Sequence, residues 1–151
     1  MANPRCYFID NALAIASPTT SIIVITSTAT IRTGVFDMIF GFSSTPADNG
    51  LTVKLQRFTA AGTSTSYTPP PLDPGDPAST SVGGVTCTIE PTYTSAKLLF
   101  HLGINQRASH RWVADPQGRL KAPATASNGI GVFGVHSSAT PTFDAGVYFN
   151  E

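Results

Sequence analysis

The chain has 151 residues, nine Lys+Arg, nine Asp+Glu and a formal net charge of zero, so 12% of its residues are charged, about half the roughly 25% usual in soluble globular proteins. That length makes one domain, and a balanced charge with no run of Lys or Arg argues against a partner held by phosphate neutralisation, so no nucleic acid is expected. Apolar runs such as Ile22 to Ile25 fall far short of the ~20 residues of a membrane-spanning helix, so no membrane partner is expected; a neutral surface does little to keep copies apart, so self-association is.

The N-terminal residues lack the positive region and apolar stretch of a signal peptide, which predicts synthesis and folding in the cytoplasm. Strong helix formers are scarce, with Glu present twice, Lys three times and Met twice. Apolar alternation and turn residues instead predict strands near 5–15, 21–26, 31–43, 51–59, 85–93, 96–103, 108–114, 130–136 and 142–149. A hairpin is expected from Val35 to Phe58. Its first arm would put Phe36, Met38, Phe40 and Phe42 on one face and Val35, Asp37, Ile39 and Gly41 on the other. Pro46 to Gly50 supplies the turn, and Leu51, Val53 and Leu55 then alternate with Thr52, Lys54 and Gln56.

Thr68 to Gly84 is one long irregular segment containing Pro69, Pro70, Pro71, Pro74 and Pro77. A stretch of that length either docks on a neighbour or crosses between sheets. Deleting residues 69–83 is expected to leave the fold intact. Further turns fall at Asp115 to Gly118, where Pro116 presets φ, and at Ser127 to Gly129. The last two strands are expected as a pair joined by a short segment with Pro141. Eight or nine strands with one long crossover predict an all-β, antiparallel two-sheet sandwich, a jelly roll first and an immunoglobulin-like sandwich as the alternative. Against the alternative, Trp112 follows Cys87 instead of lying between Cys6 and Cys87. The whole of 1–151 reads as one domain, with a short N-terminal arm at about 1–5 and the Pro-rich loop at 68–84.

Signals for chemistry are sparse. Cys87 shares a strand face with Val85 and Ile89 and reads as a buried free thiol, with pairing to Cys6 left open. His101, His110 and His136 lack ligand spacing. Asp73 and Asp76 each precede a proline and read as turn formers, because a calcium loop needs more carboxylates than two. Asp37, Asp48, Glu90, Asp115 and Asp144 are scattered, and no nucleophile elbow, phosphate loop or zinc motif occurs. No enzyme activity, catalytic residue, metal or cofactor is expected. The densest cluster is Asn105 to Trp112, where Arg107, Ser109 and Arg111 share a face if the strand reaches back that far. Its two readings are surface ion pairs beside a core Trp112, and docking of Arg107 and Arg111 on an acidic neighbour.

Four stretches together, Leu55–Thr65, Leu72–Ala78, Asn105–Ala108 with Arg111–Ala114, and Pro123–Gly131, resemble small virion proteins of tailed bacteriophages, including cyanophages, that decorate or cement the icosahedral head. The resemblance spans roughly residues 35 to 149 and carries no site motif. It implies a jelly-roll or related β-fold, a homotrimer, a major capsid protein as partner and a place on the capsid exterior, where the protein stabilises the shell. Extended segments would make the reaches between subunits. Pro4 and Arg5 of the arm, Pro69, Pro70, Pro71, Asp73 and Asp76 of the loop, and Arg107 and Arg111 are the expected contacts. The competing expectation is a carbohydrate- or receptor-binding head-fibre module, since sandwich folds host many sugar sites. One Trp and four Tyr, with Tyr67 and Tyr93 near loops, weigh against it.

Overall fold

β-Branched and aromatic residues at alternating positions fit a pleated, half-buried surface, and the described residues form strands with no helix. The structure, a computed structural model, describes residues 4–15, 19–136 and 142–151. Eleven strands run β1 (Cys6–Ala14), β2 (Thr19–Thr26), β3 (Gly34–Ser43), β4 (Gly50–Ala60), β5 (Thr63–Tyr67), β6 (Val82–Ile89), β7 (Thr92–Asn105), β8 (His110–Val113), β9 (Leu120–Lys121), β10 (Gly129–Val135) and β11 (Thr142–Asn150). They build two antiparallel sheets packed face to face. One has the order β1-β11-β3-β8 with β9 also on β3, and the other β5-β6-β2-β10-β4-β7.

Nested pairing explains that order. β1 with β11, β2 with β10, β3 with β8 and β4 with β7 are all antiparallel neighbours. The chain is therefore one long hairpin rolled up so that alternate pairs fall in opposite sheets, which is the jelly-roll arrangement. Two expected hairpins are overturned by it. β3 and β4 lie in different sheets, as do β10 and β11. Turn residues reverse the chain without choosing its next neighbour. Each of these strands has an apolar side, and burying those sides against each other across the sandwich removes both from water.

Inward residues come from every layer: Tyr7 and Ile9 of β1, Leu51, Val53 and Leu55 of β4, and Phe143, Val147 and Phe149 of β11 are buried as their alternation predicts. Phe36 departs from the expected face. The β3–β11 register slips between Tyr148 and Phe149, so Phe36 and Asp37 together occupy a bulge. Val35 then joins Met38 and Phe40 in the core, while Phe36 turns outward against Tyr148, 6.3 Å between ring centres. A second slip opposite Val132 and Phe133 lets Ile22 and Ile23 both enter the core.

β5 and β9 were not foreseen. β5 (Thr-Ser-Thr-Ser-Tyr) has no apolar alternation to read, and β9 is two residues long. β5 and β6 extend the β4/β7 hairpin past its end: Ala60 pairs with Thr92 and Thr63 with Ile89, and the ribbon then curls over to pair β6 with β2. The bend needs Gly62, whose φ is +71° and where a Cβ would stand 2.2 Å from the Ile89 carbonyl oxygen. Under the curl lies a small second core, in which Tyr93 packs on Phe133 at 4.7 Å and edge-on to Phe58 at 6.3 Å.

The Pro-rich loop is shorter than expected. Val82, Gly83 and Gly84 are the first residues of β6, paired with Thr26, Ile25 and Val24. A deletion of 69–83 would therefore remove Val82 and Gly83 from the sheet and would not leave the fold intact, contrary to the expectation from sequence. Pro141 lies outside the described residues.

Candidate interaction surface

The loop at 68–81 docks on its own protomer. The amide of Phe8 donates to the Pro70 carbonyl (3.2 Å) and that of Leu72 to the Cys6 carbonyl (2.8 Å), so Pro69–Leu72 runs along the free edge of β1. That edge would otherwise be a template for pairing with another chain. Pro69 is buried, and the Tyr7 hydroxyl donates to the Pro77 carbonyl (3.2 Å). Asp73 accepts from the Gly75 amide (2.9 Å) through its side chain and from the Asp76 amide (3.0 Å) through its carbonyl, the turn-forming role read from its position before proline. Further on, Glu151 gathers the loop's end: Ser79 Oγ (2.7 Å) and the amides of Thr80 (3.1 Å) and Ser81 (2.5 Å) donate to its carboxylate. Burial pushes that carboxyl up, but the donors, Ser81 first, outweigh it and hold the group below its ordinary value. What remains free is the tip, with Pro70, Leu72 and Asp73 exposed and Pro71 and Asp76 half-buried.

Of the arm, Pro4 and Arg5 are described and exposed, and the Arg5 carbonyl accepts from the Glu151 amide (3.0 Å); Ala2 and Asn3 lie outside the described residues. Arg107 and Arg111 do not share a face. β8 begins only at His110, and Arg107 sits in the preceding turn with its amide donating to Asn105 Oδ1 (2.9 Å). Arg111 spends its guanidinium on Asp37, with Nε at 3.1 and 3.2 Å and Nη2 at 2.5 Å from the carboxylate. The Asp37 side chain is 8% exposed and that of Arg111 63%, so the guanidinium caps an inner carboxylate from the solvent side. Trp112 is partly buried and packs on Phe100 at 5.8 Å against the core.

Sequence reasoning missed the outward face of the β1-β11-β3-β8 sheet. Phe8 and Tyr148 pack at 4.5 Å, Phe36 joins them, and Ile39 (39% exposed) and Val113 (59%) continue the apolar strip. Beside them runs a groove of about 380 Å³ bordered by Phe8, Ala12, Ile39 and Ser109. Its floor is low because Gly41 and Gly146 carry no side chain, and a Cβ on Gly146 would meet the Phe8 ring at 2.9 Å. Asp10 and Asp144 stand on its rim. Tyr67 OH donates to Asp10 (2.8 Å) and Ser43 Oγ to Asp144 (3.2 Å). Only the outward half of an alternating strand reports such a face, and simple alternation puts Phe36 on the side of Met38 and Phe40, from which the bulge turns it away.

The remaining polar clusters are structural. Ser21 donates its amide (3.1 and 3.2 Å) and its hydroxyl to the Glu90 carboxylate, and its Oγ lies 2.7 Å from Tyr93 OH. This ties the ribbon bend to β2. Burial raises the Tyr93 phenol well above its ordinary value, and burial together with Glu90 pushes the Cys87 thiol up to about 12. Both cysteines are free and half-buried; burial raises Cys6 as well. Neither is a thiolate nucleophile at neutral pH. Among the described residues no group of three His, Cys, Asp or Glu stands close enough to hold a metal ion. No family model, curated protein or solved structure matches the chain.

Proposed function

We propose that the chain is a structural virion protein that binds the outside of a bacteriophage head and cements neighbouring major capsid proteins, acting as a homotrimer. One observation carries the reading: the apolar strip and groove on the outward face of the β1-β11-β3-β8 sheet, which a lone protomer leaves in water. Zero net charge sets no barrier to covering that face. The likeness of Leu55–Thr65, Leu72–Ala78, Asn105–Ala108 with Arg111–Ala114, and Pro123–Gly131 to head decoration proteins supports a major capsid protein as partner and a place on the capsid exterior after synthesis in the host cytoplasm. The exposed loop tip at Leu72 and Asp73 and the arm at Pro4 and Arg5 are secondary contacts in this reading.

Gly41→Arg tests it. Only Ser109 Cβ, at 4.0 Å, is near the place a Cβ would take, so the backbone accepts a side chain there and an arginine projects into the groove. Co-sedimentation with expanded heads should fall about tenfold or more while the melting temperature holds. Undiminished binding would overturn the proposal. A second reading is favoured by the same groove, because Phe8 offers a ring beside the Asp10 and Asp144 carboxylates, a pairing suited to sugar C–H faces and hydroxyls. Glycan-array binding without head affinity would install the carbohydrate- or receptor-binding module in its place.

A further inference from the structure

Nine cations on 7435 Å² of surface leave about one per 800 Å², yet four of the nine converge on one cleft. Arg57 comes from β4, Lys97 from β7, Lys121 from β9 and Arg32 from the β2–β3 connection, around a volume of about 250 Å³. These positions are 24 or more residues apart in sequence, so no run of basic residues announced them. No Asp or Glu lines the cleft, and none of the four cations makes an ion pair among the described residues. Each additional cation there repels the others unless an anion sits between them.

The frame of the cleft is held by hydrogen bonds. Arg57 Nε donates to the Lys121 carbonyl at 2.7 Å, which fixes the guanidinium plane and leaves both Nη groups with no protein partner among the described residues. The strand that supplies Lys121 is itself pinned, because the Ala122 amide donates to the Thr33 carbonyl at 2.9 Å. Thr33 Oγ1 sits in a buried hydroxyl chain with Ser27 (3.2 Å) and Ser81 (2.8 Å), and Thr28 Oγ1 accepts from the Ile31 amide (3.2 Å), so the turn bearing Arg32 is held from both sides. Thr94 and Asn128 bring a hydroxyl and a side-chain amide to the wall, the amide also donating to the Ala126 carbonyl (3.3 Å), while Thr59 Oγ1 donates to the Thr92 carbonyl (3.5 Å). A fixed fork, two flexible ammonium groups and neutral donors around a small space match a compact, multiply charged oxyanion better than a single carboxylate.

We propose that this cleft binds one phosphate- or sulfate-type group through Arg32, Arg57, Lys97 and Lys121. The site is separate from the apolar groove and stands whether or not the protein decorates a capsid. Inorganic phosphate and sulfate, titrated at low ionic strength into the isotope-labelled full chain, should give saturating amide shifts confined to 30–33, 57–59, 94–97 and 120–128, with half-saturation at or below about 1 mM. Arg32→Gln and Lys97→Gln alter exposed side chains and should each weaken binding about tenfold with unchanged melting. Arg57→Lys keeps the charge but loses the fork, and should weaken binding too. Competition separates the sources. Displacement by phenyl phosphate alone indicates a terminal ester group, displacement by a short oligonucleotide as well indicates a phosphodiester backbone, and displacement by neither restricts the site to the free ion. Shifts that never saturate, or affinity unchanged in both glutamine variants, would overturn the site.

Discussion

Gly131 shows how a single side-chain position closes the second core. A Cβ there would stand 2.1 Å from Tyr93 Oη, and the ring cannot retreat because Phe133 and Phe58 hold it on two sides. Gly131→Ala should therefore cost about 1–3 kcal/mol through overpacking, read as a lowered melting temperature. Tyr93→Phe alone loses the contact with Ser21 Oγ, worth about 1 kcal/mol. Combined, the two substitutions should destabilise less than their sum, because removing the hydroxyl relieves the 2.1 Å contact and leaves only ring carbons at 2.9 and 3.0 Å. Strict additivity in thermal melts would show that the ring does not lie over Gly131.

At the scale of elements, the Pro-rich loop is a cover for the β1 edge, fastened at its far end by Glu151. Because hydrogen bonds hold the folded Glu151 carboxyl below its ordinary 4.5, its contribution to stability is fully present above that value and disappears as pH falls through the folded one. Thermal melts of the protein and of Glu151→Gln should differ at pH 7 and converge in acid, with the convergence beginning below about 4.5. A difference that stays constant down to the acid limit would mean that the carboxylate does not fasten the loop. The loop's irregularity was readable from its prolines and its turn from Asp73. Its partner was not, since the choice between its own edge strand and a neighbour depends on which edge the rolled hairpin leaves open.

On the scale of the whole molecule, the nested pairing joins strands from the two ends of the chain, Cys6 opposite Asn150 and Ala14 opposite Thr142. Loop closure over that separation must precede the contacts that reward it. Refolding from denaturant, followed by stopped-flow fluorescence of Trp112, should take milliseconds to seconds, as for other β-sandwiches dominated by distant pairings. Because β11 lies between β1 and β3, removing Thr142–Asn150 should abolish the cooperative transition. Microsecond refolding, or a cooperative melt without β11, would contradict the rolled order.

The sequence by itself determined what depends on near neighbours. Alternation placed nine of the eleven strands, put Leu51, Val53 and Leu55 inside, and marked the turns at Asp115 and Ser127, because side-chain period and turn chemistry act over two to four residues. It also identified the sandwich, since that many half-apolar strands in one domain have few other ways to bury themselves. Tertiary structure decided which strands pair, where the bulge turned Phe36 outward and Arg111 met Asp37, and how Arg32, Arg57, Lys97 and Lys121 came to face one cleft. Those outcomes rest on register and on contacts between residues dozens of positions apart. A one-residue slip exchanges the two faces of a strand, and no local pattern records it.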